Sequence, residues 1–551
     1  METKYLFEDR QSFKTIRQGN HVYVDKTKYI YNLLNGKPTI DCCFLARPRR
    51  FGKTLLLDTI EKLFQGDREL FRGLWIDNSD YKFERHPVLK FNMASYTNLK
   101  SQDILTGMIK TDLKRFAKKH KISFSSDYSS KMFEELLEIL SDKYGKGVVV
   151  LVDECDAPVT RYILDRGIAR DNLDVLHDFY VVLKASIKFI RLAFVTGIAR
   201  FAISPLDSGP DNFTDISFKP EFAGICGFTE DDMDTVFGDM YEDTLTALKA
   251  NKQIGRTAKT KLLKKKIVEY YDGYNWCGKK NVMNPYSLLK FFENKKFSPC
   301  WSMSEKPSLL ATFARENPLD FITPKLDGHT ADDLSILKPA TLLFYSGFLT
   351  VDHSEIKNQK VDDTKTIPVE EYTFRIPNLE VASVFASTVF GSIFGQQDRF
   401  FSNFVAKLPV ALLTKDSDET ASLLHKLLSA IALQQHERSK KNYHAVIQGA
   451  FIAAGIEVID QTHSLLWKSG MAKFLKKSPV GIEVRCVKTD KKDAESKDHV
   501  KKGLAAALEK AADQIRLKYY AAPFRVAGKK ITGLAIAVRG RDRVVVRFIE
   551  P

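Results

Sequence analysis

The sequence lacks the long apolar runs and the cysteine spacing that are typical of membrane proteins and of metal-binding modules. No apolar run reaches about 18 residues, so we expect no membrane span or membrane partner. The first residues are charged and contain no apolar stretch, so we expect no secretory signal. The 7 cysteines are scattered, with only Cys42 and Cys43 close together, which predicts free thiols in a reducing compartment. We therefore expect a cytoplasmic protein, or a nuclear one if the source is eukaryotic.

Negative charge is scarce in the last fifth of the chain. Residues 431–551 contain 24 Lys and Arg but only 12 Asp and Glu, so they carry +12 of the net charge of +15. A basic surface attracts polyanions, most often nucleic acid. We therefore expect residues 431–551 to bind DNA or RNA. The alternative is a lysine-rich surface that only keeps the protein in solution.

Short apolar segments alternate with amphipathic segments between residues 20 and 205. The periodicity predicts buried strands and helices, and this alternation is typical of an α/β core with a parallel sheet. The predicted strands are 42–46, 148–152 and 191–196, and the predicted helices are 54–64, 132–142 and 172–188.

The pattern changes twice after this core. Residues 203–226 are rich in Pro, Gly, Asp and Asn and predict a loop, and 228–430 is largely helical, with loop breaks near 272–286 and 352–370. The end of the chain predicts a small α/β domain with helices at 442–454 and 498–520 and strands near 455–460, 471–475, 480–488, 531–538 and 543–549. We predict three domains: 1–235, a helical middle region 236–430, and 431–551.

The stretch RPRRFGKTLLL (47–57) differs from the phosphate-binding loop motif at one position. Arg47 occupies the position of the usual first glycine, whereas the closing Gly-Lys-Thr is present. The loop lies between a predicted strand and a predicted helix, where backbone N–H groups and a helix N-terminus face an anion. We expect one of the arginines at 47, 49 and 50 to face the phosphates and one to pair with an acid, and the pattern does not decide which. The candidate ATP-binding residues are Arg49, Arg50, Phe51, Gly52, Lys53, Thr54 and Leu55.

Two acids follow the apolar strand at 148–152. We predict that Asp153 and Thr54 hold Mg²⁺, that Glu154 polarises the attacking water, and that Lys53 supplies charge at the phosphates. The alternative is a strand end that simply meets solvent. Two motifs in this order and context predict a nucleotide site.

A third strand end contributes two further candidates. Thr196 is predicted to sense the γ-phosphate or to orient the water. Arg200 is predicted to place positive charge at the transferring phosphoryl group. The alternative for Arg200 is an ion pair on a loop surface.

Motifs along almost the whole chain resemble those of AAA-ATPase-like proteins that carry a C-terminal nuclease-type domain of the PD-(D/E)XK superfamily. In that family RPRRFGK habitually replaces the usual first glycine. The resemblance implies a P-loop ATPase core, a helical middle region and a small restriction-endonuclease-like α/β domain. AAA rings take an arginine from a neighbouring copy, so a homo-oligomer is an open alternative. The matching stretches are YVDKT (23–27), RPRRFGKTLLL (47–57), VVVLVDECDAP (148–158), TGIAR (196–200), GFTEDDM (227–233), YYDGYNWCG with NPYSLL (270–289), YSGFLT (345–350), IPNLEV (376–381) and DQIRLKYYAAPF (513–524).

The sequence departs from the family pattern at the nuclease motifs. Residues 470–473 read Gly-Met-Ala-Lys where Gly-Arg-x-Asp is expected, and 486–488 read Cys-Val-Lys where Glu-x-Lys is expected, so only Lys488 remains. A shifted register offers Glu483 with Arg485, but no acid lies in 461–482 as a first ligand. Without two carboxylates the site loses its grip on Mg²⁺. We expect a domain that holds nucleic acid without cutting it.

These features predict an ATPase coupled to a basic, nuclease-derived domain. One alternative is a nucleic-acid-binding regulatory module whose ATPase is inactive or acts as a slow switch. Another alternative is an active Mg²⁺-dependent nuclease.

Overall fold

The computed structural model divides into two compact units. The first comprises Met1–Leu263, Tyr274–Phe297 and Leu326–Thr373, and the second comprises Lys264–Gly273, Ser298–Lys325 and Phe374–Pro551. The predicted boundaries of three domains stay a prediction. The structure describes residues 12–36, 40–163, 165–198, 213–248, 255–278, 280–301, 343–360, 366–385, 399–432, 450, 454, 480–486, 497–517, 532–539 and 543–549.

A five-stranded sheet with parallel pairing forms the centre of the first unit. Its strands lie in the order β2-β3-β4-β1-β5. β1 and β3 are buried along their whole length, as expected for strands covered on both faces. This confirms the predicted α/β core. The strands are β1 Cys42–Ala46, β2 Val88–Asn92, β3 Val148–Asp153, β4 Ile190–Gly197 and β5 Thr214–Asp215.

The helices of the core lie close to their predicted positions. The helix after the phosphate loop spans Lys53–Phe64, and those around the acid strand span Ser129–Tyr144 and Arg166–Ala185. The bounds are α1 Phe13–Gln18, α2 Thr27–Asn35, α3 Lys53–Phe64, α4 Gln102–His120, α5 Ser129–Tyr144, α6 Ala157–Thr160, α7 Arg166–Ala185, α8 Glu230–Phe237, α9 Met240–Ala247, α10 Arg256–Tyr271 and α11 Pro285–Asn294.

Two stretches predicted as loops contain strands. Within 203–226, β5 adds an edge strand beside β1; two residues are too short to give a periodic signal. The predicted break at 352–370 is wrong, because β6 Thr350–Lys360 and β7 Thr366–Arg375 form a two-stranded sheet there. Charged residues are frequent in these strands, but the β-branched and aromatic residues among them favour strands.

The second unit contains a small α/β layer near the end of the chain. β8 and β9 are parallel, β10 pairs antiparallel with β9, and the long helix between β8 and β9 packs its small and apolar residues on the sheet. These four elements confirm the predicted ones within a few residues, whereas the helix and strands predicted between 442 and 475 fall almost wholly outside the described residues. The bounds are α12 Leu379–Phe385, α13 Arg399–Leu413, α14 Ser417–Ala432, β8 Val480–Cys486, α15 Lys497–Leu517, β9 Thr532–Arg539 and β10 Arg543–Ile549.

Two expectations from composition concern the chain as a whole. Within the part that the structure describes, no helix combines the length and the apolar character needed to cross a bilayer. The six cysteines with described side chains are free thiols, as expected: Cys42, Cys43, Cys155, Cys226, Cys277 and Cys300.

Candidate nucleotide-binding site

The loop between β1 and α3 ends in a glycine at the N-terminus of the helix. Gly52 precedes the first residue of α3 and has φ 91°, a left-handed conformation that costs glycine little and other residues much more. A Cβ atom at Gly52 would meet no other atom within 4 Å. The N–H groups at a helix N-terminus lack intrahelical partners and attract anions. The loop therefore has the backbone shape of a phosphate site.

Arg47 is an internal anchor of this loop. Its side chain is only 1% exposed, and its guanidinium donates to the carbonyl oxygens of Ala46 at 2.7 Å, Ser217 at 2.8 Å and Phe222 at 3.4 Å. The guanidinium carbon lies 4.0 Å from the centre of the Trp276 ring. Burial lowers the pKa of Arg47 to about 10, so the group stays charged at neutral pH. The residue in place of the usual glycine is thus held by contacts inside the fold.

The next residues of the loop divide between packing and exposure. The ring of Phe51 is buried, edge-on to Tyr274 at 4.8 Å and Trp276 at 5.3 Å, so this candidate supports the loop with its side chain. Arg50 has φ 67° and its guanidinium lies 5.0 Å from the ring centre of Tyr286. Arg49 is exposed and Arg50 half-buried. Arg49 is therefore the arginine of the three that a ligand reaches most easily.

Lys53 and Glu154, from the two predicted motifs, contact each other. The Lys53 side chain is 3% exposed, and its ammonium lies 3.4 Å from the Glu154 carboxylate. It also donates to the carbonyl oxygens of Arg47 at 2.9 Å and Pro48 at 3.2 Å. Glu154 has φ 52°, a strained conformation for a non-glycine residue that is common at functional sites. The geometry places the predicted phosphate-binding cation and the predicted base within reach of one ligand.

The hydroxyls of two threonines hold the carboxylate of Asp153. Thr54 donates to one oxygen at 2.7 Å and Thr196 donates to the other at 2.9 Å. Asp153 is 2% exposed and Thr196 is fully buried, whereas Thr54 is exposed. Burial is the largest influence on the Asp153 carboxyl and raises its pKa. The hydrogen bond makes Thr196 an orienting partner of Asp153; its contact with a γ-phosphate stays a prediction.

The donors at this point suit Mg²⁺. The Thr54 hydroxyl and the Asp153 carboxylate are adjacent hard oxygen donors, and Mg²⁺ in nucleotide sites takes few protein ligands besides water and phosphate. Among the described residues no group of three or more His, Cys, Asp and Glu side chains gathers to hold a metal. A second cation site of that richer kind is therefore absent from the described part of the chain.

Asp156 is a site residue that the sequence analysis missed. Its carboxylate is 1% exposed and accepts the N–H of Ile198 at 2.9 Å, which ties the end of β3 to the end of β4. Burial, followed by the negative charge of Glu154, raises the pKa of Asp156 to about 7. Its only sequence signal was a third acid in VVVLVDECDAP, and nothing in that string showed that the side chain turns inward.

Several residues named in the sequence analysis lack a described side chain. Arg200, Lys473 and Lys488 lie outside the described residues, so their roles stay predictions. Glu483 and Cys486 lie in β8, of which the structure describes only the backbone.

Comparison with known proteins addresses the same part of the chain. Residues 10–206 match the family model described as a predicted AAA-ATPase. The match contains β1 to β4, the phosphate loop, the acid pair and Thr196. This family match supports ATPase activity at a coarse level. Since it ends at residue 206, the C-terminal nuclease-type domain stays a prediction.

One relative is similar over the full length. It is an uncharacterised protein in the vnfD 5' region of Azotobacter chroococcum mcd 1, 28% identical over 565 residues that cover 100% of this chain and 99% of the relative. The similarity therefore extends well beyond the family match.

Proposed function

We propose that this protein is an ATPase that binds Mg²⁺-ATP at the loop of residues 49–55. The hydrogen bond from Thr54 to Asp153 is the observation that supports this most directly. It joins residues 99 apart in the sequence, each from one of the two motifs that a nucleotide site requires. The AAA-ATPase family match over residues 10–206 supports the same conclusion.

Each residue of the site has a proposed role. Lys53 and the backbone around Gly52 bind the phosphates, Thr54 and Asp153 hold Mg²⁺, and Glu154 accepts a proton from the attacking water. Bound Mg²⁺ would neutralise charge on the phosphate oxygens. Thr196 keeps the Asp153 carboxylate oriented. Arg200 is proposed to stabilise charge at the transferring phosphoryl group.

We further propose that ATP binding or hydrolysis repositions the basic region 431–551, which binds DNA or RNA without cutting it. The support is its excess of 12 positive charges and its departure from the nuclease motifs. The parallel β8-α15-β9 unit with antiparallel β10 is compatible with a nuclease-derived fold.

The contact between Lys53 and Glu154 favours a second candidate, a nucleic-acid-dependent switch with slow hydrolysis. As long as the Lys53 ammonium lies 3.4 Å from the Glu154 carboxylate, the proposed base is ion-paired and less able to accept a proton from water. Steady-state ATP hydrolysis with and without DNA or RNA separates the two. A continuously active ATPase turns over alone, whereas a switch requires nucleic acid or turns over only once.

Two variants test the site assignment. Lys53→Ala should abolish ATP binding measured by calorimetry, whereas Glu154→Gln should bind ATP but release no phosphate. Lys62→Ala is the matched control, because Lys62 lies on the same helix and contacts Gln65 instead of the loop. ATP binding unchanged in Lys53→Ala would refute the site.

Nuclease activity is tested with Mg²⁺ or Mn²⁺ on plasmid and single-stranded substrates. Cleavage that persists in Lys488→Ala would show that the cleavage site lies elsewhere.

A further inference from the structure

Helix α10 has an unusual charge pattern outside the region of predicted nucleic-acid binding. No acid occurs on it before Glu269, and six of its first eleven residues are basic: Arg256, Lys259, Lys261, Lys264, Lys265 and Lys266. The first 430 residues together carry only +3, so this helix is a local concentration of charge that the overall balance hides.

Burial shows which side of α10 is available. The buried residues are Leu263, Ile267 and Tyr271, spaced four apart and therefore on one narrow stripe. Lys261, Lys265 and the following Lys266 are exposed. The packed stripe and the half-buried residues beside it leave the side that carries Lys261, Lys265 and Lys266 to solvent.

Only some of these charges are balanced within the described part of the chain: Arg256 pairs with Glu242 at 2.7 Å. Among the described residues no ion pair links Lys259, Lys261, Lys265 or Lys266 to an acid, although like charges four apart on a helix destabilise it. Helix α4 is also basic, but it is arranged differently. There Lys110 and Lys114 pair with Asp127 and Arg115 pairs with Asp112.

Three kinds of polyanionic partner fit a basic helix, and the composition of α10 favours one. An interfacial membrane helix needs a broad apolar face, but the described exposed side of α10 offers only Leu262, 40% exposed, as a large apolar group. Protein interfaces are depleted in lysine and depend on aromatic and arginine anchors. Lysines that act as point charges suit the phosphates of a nucleic-acid backbone.

We propose that α10 is a contact surface for the phosphate backbone of nucleic acid, separate in sequence from residues 431–551. Binding there is independent of base sequence, because lysine contacts to phosphate carry no sequence information. The inference shares the partner class of the proposed function but depends neither on ATP nor on the C-terminal region.

The test measures the salt dependence of binding. The triple variant Lys261→Gln, Lys265→Gln, Lys266→Gln is compared with Lys110→Gln, Lys114→Gln, Arg115→Gln, which removes the same charge from the acid-paired residues of α4. Both are titrated in the full-length chain against a mixed-sequence DNA duplex and a single-stranded RNA, by fluorescence anisotropy at several salt concentrations. Each lost phosphate contact reduces the slope of log K against log salt by about 1. We expect the slope of the α10 variant to be smaller in magnitude by about 2 to 3 and its affinity to be at least about tenfold lower. The slope and the affinity of the α4 variant should stay near those of the wild type.

The outcomes are distinguishable. Equal slopes for all three proteins, or equal losses in both variants, would overturn the proposal, and so would a wild type that binds no nucleic acid. A loss of binding by the α10 variant only to poly-glutamate or to vesicles of anionic lipid would also overturn it, in favour of an acidic protein or a membrane surface. Circular dichroism on both variants verifies that the helices persist. ATP binding by the wild type, measured separately, tests the proposed function without affecting this result.

Discussion

The guanidinium of Arg47 lies 4.0 Å from the ring centre of Trp276, so a phosphate loop is fastened to a turn far along the chain. The usual first glycine gives a phosphate loop backbone freedom where the loop begins. Here the buried side chain of Arg47 fixes that end of the loop instead. Phe51, at the other end of the loop, packs against the same ring. One tryptophan thus supports both ends of the loop, which explains how the loop keeps its shape without the first glycine.

Arg47→Gly, which restores the usual phosphate-loop residue, should therefore harm the protein. It removes two short hydrogen bonds from a charged donor, each worth about 1.5 to 3 kcal/mol, so we expect the free energy of unfolding to fall by at least about 3 kcal/mol. Urea unfolding measures the loss. The control is Arg49→Gly, in the same loop but exposed, for which we expect a loss under about 1 kcal/mol. Equal losses in the two variants would show that Arg47 is not an anchor.

The sequence predicted which side chains meet at the candidate site better than it predicted the contacts that support them. Thr54, Asp153, Lys53 and Glu154 were identifiable because strand-loop-helix and strand-acid patterns fix where the backbone delivers them. Parallel strands end at one edge of the sheet, so the two motifs had to meet if the strands were neighbours or nearly so. The structure places only β4 between β1 and β3, and Thr54 donates a hydrogen bond to Asp153 at 2.7 Å.

The supports depend on contacts between distant segments, which no local pattern encodes. The role of Arg47 depends on Ser217, Phe222 and Trp276, and Asp156 depends on the backbone of Ile198. The β6–β7 sheet was missed for a related reason: its charged strands lack the apolar alternation that a half-buried strand would show.

Gly52→Ala tests whether the shape of the loop determines ATP affinity independently of the stability of the fold. At φ 91° alanine is strained by about 1 to 2 kcal/mol, and its methyl group would enter the open space above the loop. We expect ATP affinity to fall at least about tenfold, an effect of about 1.4 kcal/mol or more.

The matched control is Gly145→Ala. Gly145 also has positive φ, 62°, and open space around its Cβ position, but it follows α5 before β3 begins, at the opposite edge of the sheet. It should lose comparable stability and keep its ATP affinity. Nucleotide titration and thermal unfolding of both variants measure the difference. If Gly52→Ala binds ATP as the wild type does, the phosphates do not approach this glycine.

Thr54→Ala and Thr54→Ser test the proposed Mg²⁺ ligand. The hydroxyl of Thr54 lies 2.7 Å from the Asp153 carboxylate, so serine preserves the hydroxyl and alanine removes it. We expect Thr54→Ser to retain the gain in ATP affinity that Mg²⁺ provides, and Thr54→Ala to lose most of it while still binding ATP without metal. ATP titrations with Mg²⁺ and with EDTA measure the ratio of the ATP affinities with and without metal. A ratio unchanged in Thr54→Ala would place the metal elsewhere.

Asp156 should make stability depend on pH. Its folded pKa of about 7 exceeds the ordinary value of 3.8, so the folded protein holds a proton that the unfolded chain releases as pH rises between these values. The unfolded state then binds fewer protons, and stability falls with rising pH: the contribution is complete below the unfolded pKa and lost above about pH 7. One pKa unit is worth about 1.4 kcal/mol, so the loss is at most about 4 kcal/mol.

Asp156→Asn isolates this contribution, because asparagine does not titrate yet keeps an oxygen that accepts the N–H of Ile198. Relative to wild type, the variant should gain stability as pH rises from about 5 to 8, since the wild type alone acquires a buried negative charge over that range. Urea unfolding of both proteins at several pH values measures the difference. If the difference between variant and wild type is constant across that range, the carboxyl of Asp156 is ionised in the folded protein throughout, and burial does not hold its proton.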